Sequence, residues 1–344
     1  MEHKIRNPEI DSLRGLAVLL MVMVHSAATW DPYNTTQTSL LAYFVAGLGG
    51  LAAPLFVTIF GWGLIKSTSS YKSNIIKALI LFSLQIIVNI SSPHLYETFT
   101  PGVLSLFAIL ILLKPLIIYF CKSKSNLLFY LVLFSSIYTI EYFYLNLQGT
   151  SDWNSRISVE GPLQMLYHLI LTGTYPVFPW ITFAIIGAFI GTNISIKERT
   201  MPRDKTTTLL ILFGILFCLS TLLLSITQDR VWAHPTKGYY LNFFPANIGF
   251  ITAATTGIFL LWLLIQEFKI HIFSDVGKVS LTVYVVHFIP LTLMSNFEEK
   301  YNWAITESSL AVLFYTSSWL LFSYILKKHH YLTIENLIRK FTKP

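Results

Sequence analysis

Cysteine and charge are both scarce in this chain. Two of its 344 residues are cysteine, and 12% are Asp, Glu, Lys or Arg. Cys121 and Cys218 fall on different apolar segments, which suits two buried thiols and argues against a disulfide framework. No group of His, Cys or carboxylate residues has ligand spacing, so no metal is expected. No Pro-rich linker, low-complexity tract, coiled coil or second domain interrupts residues 1–344, which read as one integral membrane domain. The shortage of charge excludes a soluble domain. Hydrophobic residues make up 54% of the chain, mean hydropathy is +0.60, and apolar segments repeatedly exceed the roughly 18 residues of a spanning helix.

The expected fold is therefore all-α, a polytopic membrane helical bundle. Apolar runs and their polar breaks give about ten spans, near 11–30, 40–65, 74–92, 102–121, 126–147, 175–195, 206–226, 241–266, 277–297 and 304–326. With both termini cytoplasmic, 18 of the 24 basic residues fall inside and four outside, leaving Arg14 and Lys114 within spans. The positive-inside rule favours that orientation and an even span count. It also accounts for the net charge of +7 through topology and anionic lipid, so nucleic acid is not an expected partner. A multi-pass protein of the cell (cytoplasmic) membrane follows. Basic residues, an apolar run and Ser26-Ala27-Ala28 also resemble a signal peptide, but its removal would leave an odd number of spans.

The first span carries two ionisable residues, Arg14 and His25, with ten residues between them. Eleven steps of about 100° fall within about 20° of three full turns, so both side chains share one helix face, about 16 Å apart along the axis. Ionisable groups at bilayer depth are costly and point to function.

The stretch Glu9-Ile10-Asp11-Ser12-Leu13-Arg14-Gly15-Leu16-Ala17 through His25 resembles the opening signature of the transmembrane acyltransferase superfamily, which includes acyltransferase-3 proteins and relatives of heparan-α-glucosaminide N-acetyltransferase. Three further stretches are similar in order and spacing: Ala53-Pro54-Leu55-Phe56 through Gly61, Tyr175-Pro176-Val177-Phe178-Pro179-Trp180 leading to Gly187 and Gly191, and Gly277-Lys278-Val279-Ser280 through Tyr284 and His287. The resemblance implies transfer of an acyl group, commonly acetyl from cytoplasmic acetyl-CoA or another acyl-CoA, to a carbohydrate or glycan across the membrane. The lipid bilayer, acyl-CoA and that acceptor are the expected partners, with a homo-oligomer left open.

Chemistry on the first helix agrees with this expectation. Entering from the cytoplasm, the helix puts Arg14 near the inner surface, where a fixed cation meets coenzyme phosphates. His25 lies three turns deeper, at the reach of an extended pantetheine arm, and a neutral imidazole suits a general base. A covalent acetyl-imidazole is the other option for His25. Span nine offers a second wall. Lys278 and Ser280 join Arg14 as expected acyl-CoA contacts, while Tyr284 and His287 lie on the Ser280 stripe, with His287 at the depth of His25. Asp11, Tyr284 and His287 are expected to line the cavity; Trp180 and Asn247 are expected on the acceptor side.

Each residue also has a plainer reading. Arg14 suits an interfacial anchor answered by Asp11, and His25, Ser280, Tyr284 and His287 suit helix–helix hydrogen bonding. Lys114 beside Pro115 reads as a snorkelling side chain at a kink, Trp180 as part of an interfacial belt, and Gly187 with Gly191 as a close-packing pair. The chain also departs from the heparan-enzyme pattern. Those relatives carry a histidine in the first loop beyond span one, whereas residues 31–39 contain none. The rival function is a transporter or flippase for a glycan, lipid or small metabolite, whose mark would be inverted repeats with paired broken helices.

Overall fold

The computed structural model describes residues 7–30, 40–121, 126–144, 146–193, 199–236 and 240–342. Residues 31–39, which lack the histidine expected of one subfamily, lie outside the described residues. Helix dominates because long apolar runs can satisfy their main-chain groups internally. In chain order the long helices are α1 (Pro8–Trp30), α2 (Leu40–Lys66), α3 (Tyr71–Ser91), the pair α4 (Val103–Leu112) and α5 (Lys114–Phe120), and α6 (Asn126–Phe143). Short helices α7 (Trp153–Ile157) and α8 (Pro162–Tyr167), the latter continued by a π-helical turn over His168–Thr172, precede α9 (Val177–Asn193) and α10 (Lys205–Thr227). The rest of the chain forms α11 (Ile248–Glu267), α12 (Ser274–Lys278), α13 (Ser280–Val286), α14 (Phe288–Leu293), α15 (Phe297–Tyr301), α16 (Ile305–Lys328) and α17 (Ile334–Phe341). Among the described residues, seven helices are long and apolar enough to cross a bilayer, or nine if each of two bent pairs is one crossing. Helix α6 is apolar but shorter.

Three expected spans differ in detail. The fourth breaks by 72° between α4 and α5. Pro115 cannot donate a main-chain hydrogen bond, and at the break the Lys114 side-chain ammonium donates to the Ser67 carbonyl. The eighth starts at Ile248 rather than near 241. Residues before it pair as two short parallel strands, β1 (Ala233–His234) and β2 (Leu241–Asn242), and Asn247 caps α11 by accepting from the Phe250 amide at 2.8 Å. The ninth starts at Ser280 rather than near 277: Val279 is non-helical and separates the short α12 from a continuous crossing over Ser280–Tyr301 that runs helically through His287.

Helix α1 is the axis of the bundle, packed by α2, α12, α13 and α16. Helix α10 lies at the other extreme, with large apolar side chains such as Phe213 and Leu216 turned outward, as a lipid-facing helix requires. Close helix approach relies on small residues. A Cβ added at Gly187 of α9 would lie 1.8 Å from the Thr58 carbonyl oxygen of α2, so this crossing admits no side chain. At the chain's end, Glu335 of α17 accepts from the Leu281 and Thr282 amides and the Thr282 hydroxyl, tying α17 to the first turn of α13.

Candidate functional site

Span nine packs against α1 and brings His287 to it. His25 of α1 and His287, at the α13–α14 junction, are 3% and 0% exposed, and His25 Nδ1 lies 2.9 Å from His287 Nε2. Their ring planes differ by 12° with centroids 5.1 Å apart. With two nitrogens at hydrogen-bond distance, that separation describes rings joined edge to edge, nearly in one plane, rather than face stacking.

The hydrogen positions follow from the partners. His287 Nδ1 lies 3.1 Å from the Val283 carbonyl oxygen, which can only accept, so this nitrogen carries the hydrogen. Neutral His287 then has a bare Nε2, and His25 must donate to it through Nδ1. Neutral His25 is thereby left with a lone pair on Nε2. The chain runs from the Val283 carbonyl through His287 to His25, so two buried imidazoles satisfy each other and fix one tautomer apiece. Tyr315 of α16 donates to the main-chain oxygen of His287, bracing the junction from the opposite side.

Aromatic rings complete the surroundings of His25. The centroids of Phe288, Tyr284 and Tyr96 lie 4.6, 6.0 and 6.4 Å from its own. Tyr284 is in turn 6.1 Å from Phe56 of α2. From Phe56, the stripe of α2 continues through Phe60, stacked on Phe107 of α4 at 4.1 Å, to Gly63. A Cβ at Gly63 would lie 3.9 Å from Arg14 Nη2. One face of α2 thus faces both ionisable residues of α1, with aromatic rings towards His25 and a glycine towards Arg14.

At the Arg14 end, Asp11 is 3% exposed and its carboxylate lies 3.4 Å from Arg14 Nη1. The main chain of α1 meets that of α12 directly there: a Cβ at Gly277 would lie 1.8 Å from the Asp11 carbonyl oxygen. This contact holds neighbouring Lys278 level with the first turns of α1. Lys278 Nζ is 2.8 Å from Asp275, which also meets Lys327 of α16 at 2.9 Å. Ser280 is buried at the start of α13.

The structure therefore brings together His25, Tyr284 and His287 at one level and Asp11, Arg14 and Lys278 at another. It leaves Trp180 and Asn247 apart from both groups. Trp180 is 1% exposed and enclosed by Tyr175, Phe183 and Phe243, so its face is occupied by protein rather than offered to an acceptor. Asn247 spends its side chain on capping α11 and on the Tyr240 carbonyl. Two residues beside His25 escaped sequence reasoning. Tyr96 and His94 lie in the short loop after α3, where His94 Nε2 is 3.0 Å from Thr29 Oγ1, one turn beyond His25. Only the dense Pro93-His94-Leu95-Tyr96 run marked them, because contacts between residues so distant along the chain are set by tertiary packing.

A cavity of about 430 Å³ opens between α3, α4 and α8, lined by residues such as Phe82, Gln85, Asn89 and Met165; His25 is not among its lining residues. Among the described residues no group of three or more His, Cys, Asp or Glu is arranged to hold a metal ion. Comparison with protein families matches residues 7–328 to the acyltransferase-3 model, described as an acyltransferase domain. No curated protein sequence matches the chain.

Proposed function

The chain belongs to the acyltransferase-3 family, and on that footing we propose that it carries an acyl group, most simply acetyl, from cytoplasmic acyl-CoA to a sugar or glycan on the far side of the membrane. Residues 1–344 act as one integral domain of the cell membrane, with ten crossings and cytoplasmic termini. In that arrangement α6 supplies the short tenth crossing, Arg14 faces the cytoplasm, and His25 lies deeper.

The observation that carries this reading is the hydrogen-bond chain from the Val283 carbonyl through His287 to His25. It leaves His25 Nε2 as the proton acceptor, which is the state a general base needs. The acceptor hydroxyl or amine attacks the thioester carbonyl while its proton passes to His25 Nε2. The tetrahedral intermediate then collapses, the carbon–sulfur bond breaks, and the proton on His25 neutralises the departing thiolate of CoA. His287 accepts from His25 Nδ1 throughout, orienting the ring and supporting the transient imidazolium. Arg14 holds the coenzyme phosphates, with Lys278 and Ser280 as further contacts. Asp11 orients Arg14, and Tyr284 walls the space beside His25.

Acetyl-CoA and CoA binding to the purified protein in detergent, compared with Arg14→Ala, tests the donor side. Saturable binding weakened by the substitution supports acyl transfer. A folded wild-type protein that binds no acyl-CoA overturns it and favours carriage of a glycan, lipid or metabolite without a covalent step.

A further inference from the structure

Acyl transfer requires an acceptor beside His25, and the protein surface there has a specific composition. Tyr96 forms the link. Its ring stands edge-on to His25 at 6.4 Å, and Trp153 lies 6.2 Å further out, with Phe244 behind the indole at 5.2 Å. Tyr96 and Trp153 are each partly exposed as residues, in contrast to the enclosed Trp180.

These two rings are mounted on one rigid unit. Trp153 opens α7, whose first turn is capped by Asp152 accepting from the Ser155 amide at 2.8 Å. The end of α7 is tied to the Tyr96 loop twice: the Thr100 hydroxyl donates to the Ile157 carbonyl at 2.6 Å, and the Val159 amide donates to Glu97 at 3.1 Å. Underneath, Arg156 is 2% exposed and donates to the carbonyls of Gln148, Thr172 and Gly173. The guanidinium is thus committed to holding the unit together and presents no cation at the surface. Among the described residues of these two segments, the carboxylate residues Glu97, Asp152 and Glu160 are exposed.

We infer that Tyr96 and Trp153 form an acceptor subsite that receives the C–H face of an uncharged sugar or amino sugar and directs one of its hydroxyl or amino groups to His25. This deepens, and rests on, the acyl-transfer reading. Aromatic faces carry negative potential and attract polarised C–H groups, whereas the surrounding carboxylates repel a uronic acid or sugar phosphate. His94, held against Thr29, provides a polar edge for the hydroxyls that point away from the rings.

The test uses the purified full-length protein in detergent and three probes: methyl β-glucoside, methyl β-glucosaminide and methyl β-glucuronide. Saccharide binding is read by saturation-transfer NMR, with acetyl-CoA binding measured on the same samples. The glucoside and glucosaminide should bind more tightly than the glucuronide. Trp153→Ala should weaken their binding by about 3- to 10-fold, and Trp153→Phe should restore most of it, while acetyl-CoA binding stays unchanged in both. Equal saccharide binding in Trp153→Ala, or preference for the glucuronide, overturns the subsite. A wild-type protein that binds acetyl-CoA but none of the three saccharides overturns the subsite and leaves acyl transfer standing. Failure to bind any acyl-CoA removes the reading beneath it.

Discussion

His25 donates from Nδ1 to Nε2 of His287 across 2.9 Å, and that direction is imposed by a carbonyl oxygen on the far side of His287. If acyl transfer uses His25 as base, His287 is a positioning residue whose value lies in the lone pair it presents. His287→Ala should lower the transfer rate by about two orders of magnitude or more while leaving acetyl-CoA binding intact. His287→Gln, which can present a carbonyl oxygen in place of Nε2, should recover part of the loss. Turnover and coenzyme affinity measured on the same preparations check this; equal damage from Ala and Gln would show that His287 only fills space.

Arg14 should govern affinity for the donor rather than the chemical step. Losing charge-assisted hydrogen bonds costs about 1.5–3 kcal/mol, so Arg14→Ala should weaken acetyl-CoA binding by about 10- to 100-fold. Calorimetry with acetyl-CoA and with CoA reads this directly. His25→Ala should abolish transfer and leave donor affinity close to wild type.

Gly277 and Gly63 should differ in their tolerance of a side chain. An added Cβ at Gly277 would meet the Asp11 carbonyl oxygen at 1.8 Å, whereas one at Gly63 would lie 3.9 Å from the Arg14 guanidinium. Gly277→Ala should destabilise the protein by about 1–3 kcal/mol as α1 and α12 are forced apart, and Gly63→Ala should leave the melting temperature nearly unchanged. Thermal unfolding in detergent distinguishes them.

Asp275 makes a small acid-sensitive tie between α12 and α16. Hydrogen bonds from Lys278 and then Lys327 hold its carboxyl below the usual carboxylate range. A depressed carboxyl contributes stability that is present above its unfolded pKa and is lost as pH falls through the folded value. Wild type should therefore lose melting temperature more steeply than Asp275→Asn below about pH 4, by an amount equivalent to at most about 1 kcal/mol for a half-exposed pair. Parallel acid limbs in the two proteins would remove the tie from the account.

Helix arithmetic was enough to place His25 and His287 at one depth, because each lies a fixed number of residues beyond a polar helix start. The same arithmetic could not reveal the non-helical Val279 or the close approach of α1 and α12 beside it, where a Cβ at Gly277 would lie 1.8 Å from the Asp11 carbonyl oxygen. Tyr96 and Trp153 were illegible for a different reason: the hydrogen bonds that join their loops link Glu97 to Val159 and Thr100 to Ile157, across distances no periodicity spans. Burial of Trp180 was equally hidden in the sequence. Its position near a span end suggests an exposed ring, yet in α9 it packs against Phe243 and Phe183.

The Val283 carbonyl has a consequence for how this site can change. In many hydrogen-bonded histidine systems the group that orients the ring is a side chain, and one altered codon can delete it. Here it is a main-chain oxygen, present whatever amino acid occupies position 283. Point mutation can remove His25 or His287 themselves, but the tautomer they share is lost only if the path of the backbone changes. The most heritable part of the arrangement is therefore encoded in the shape of α13.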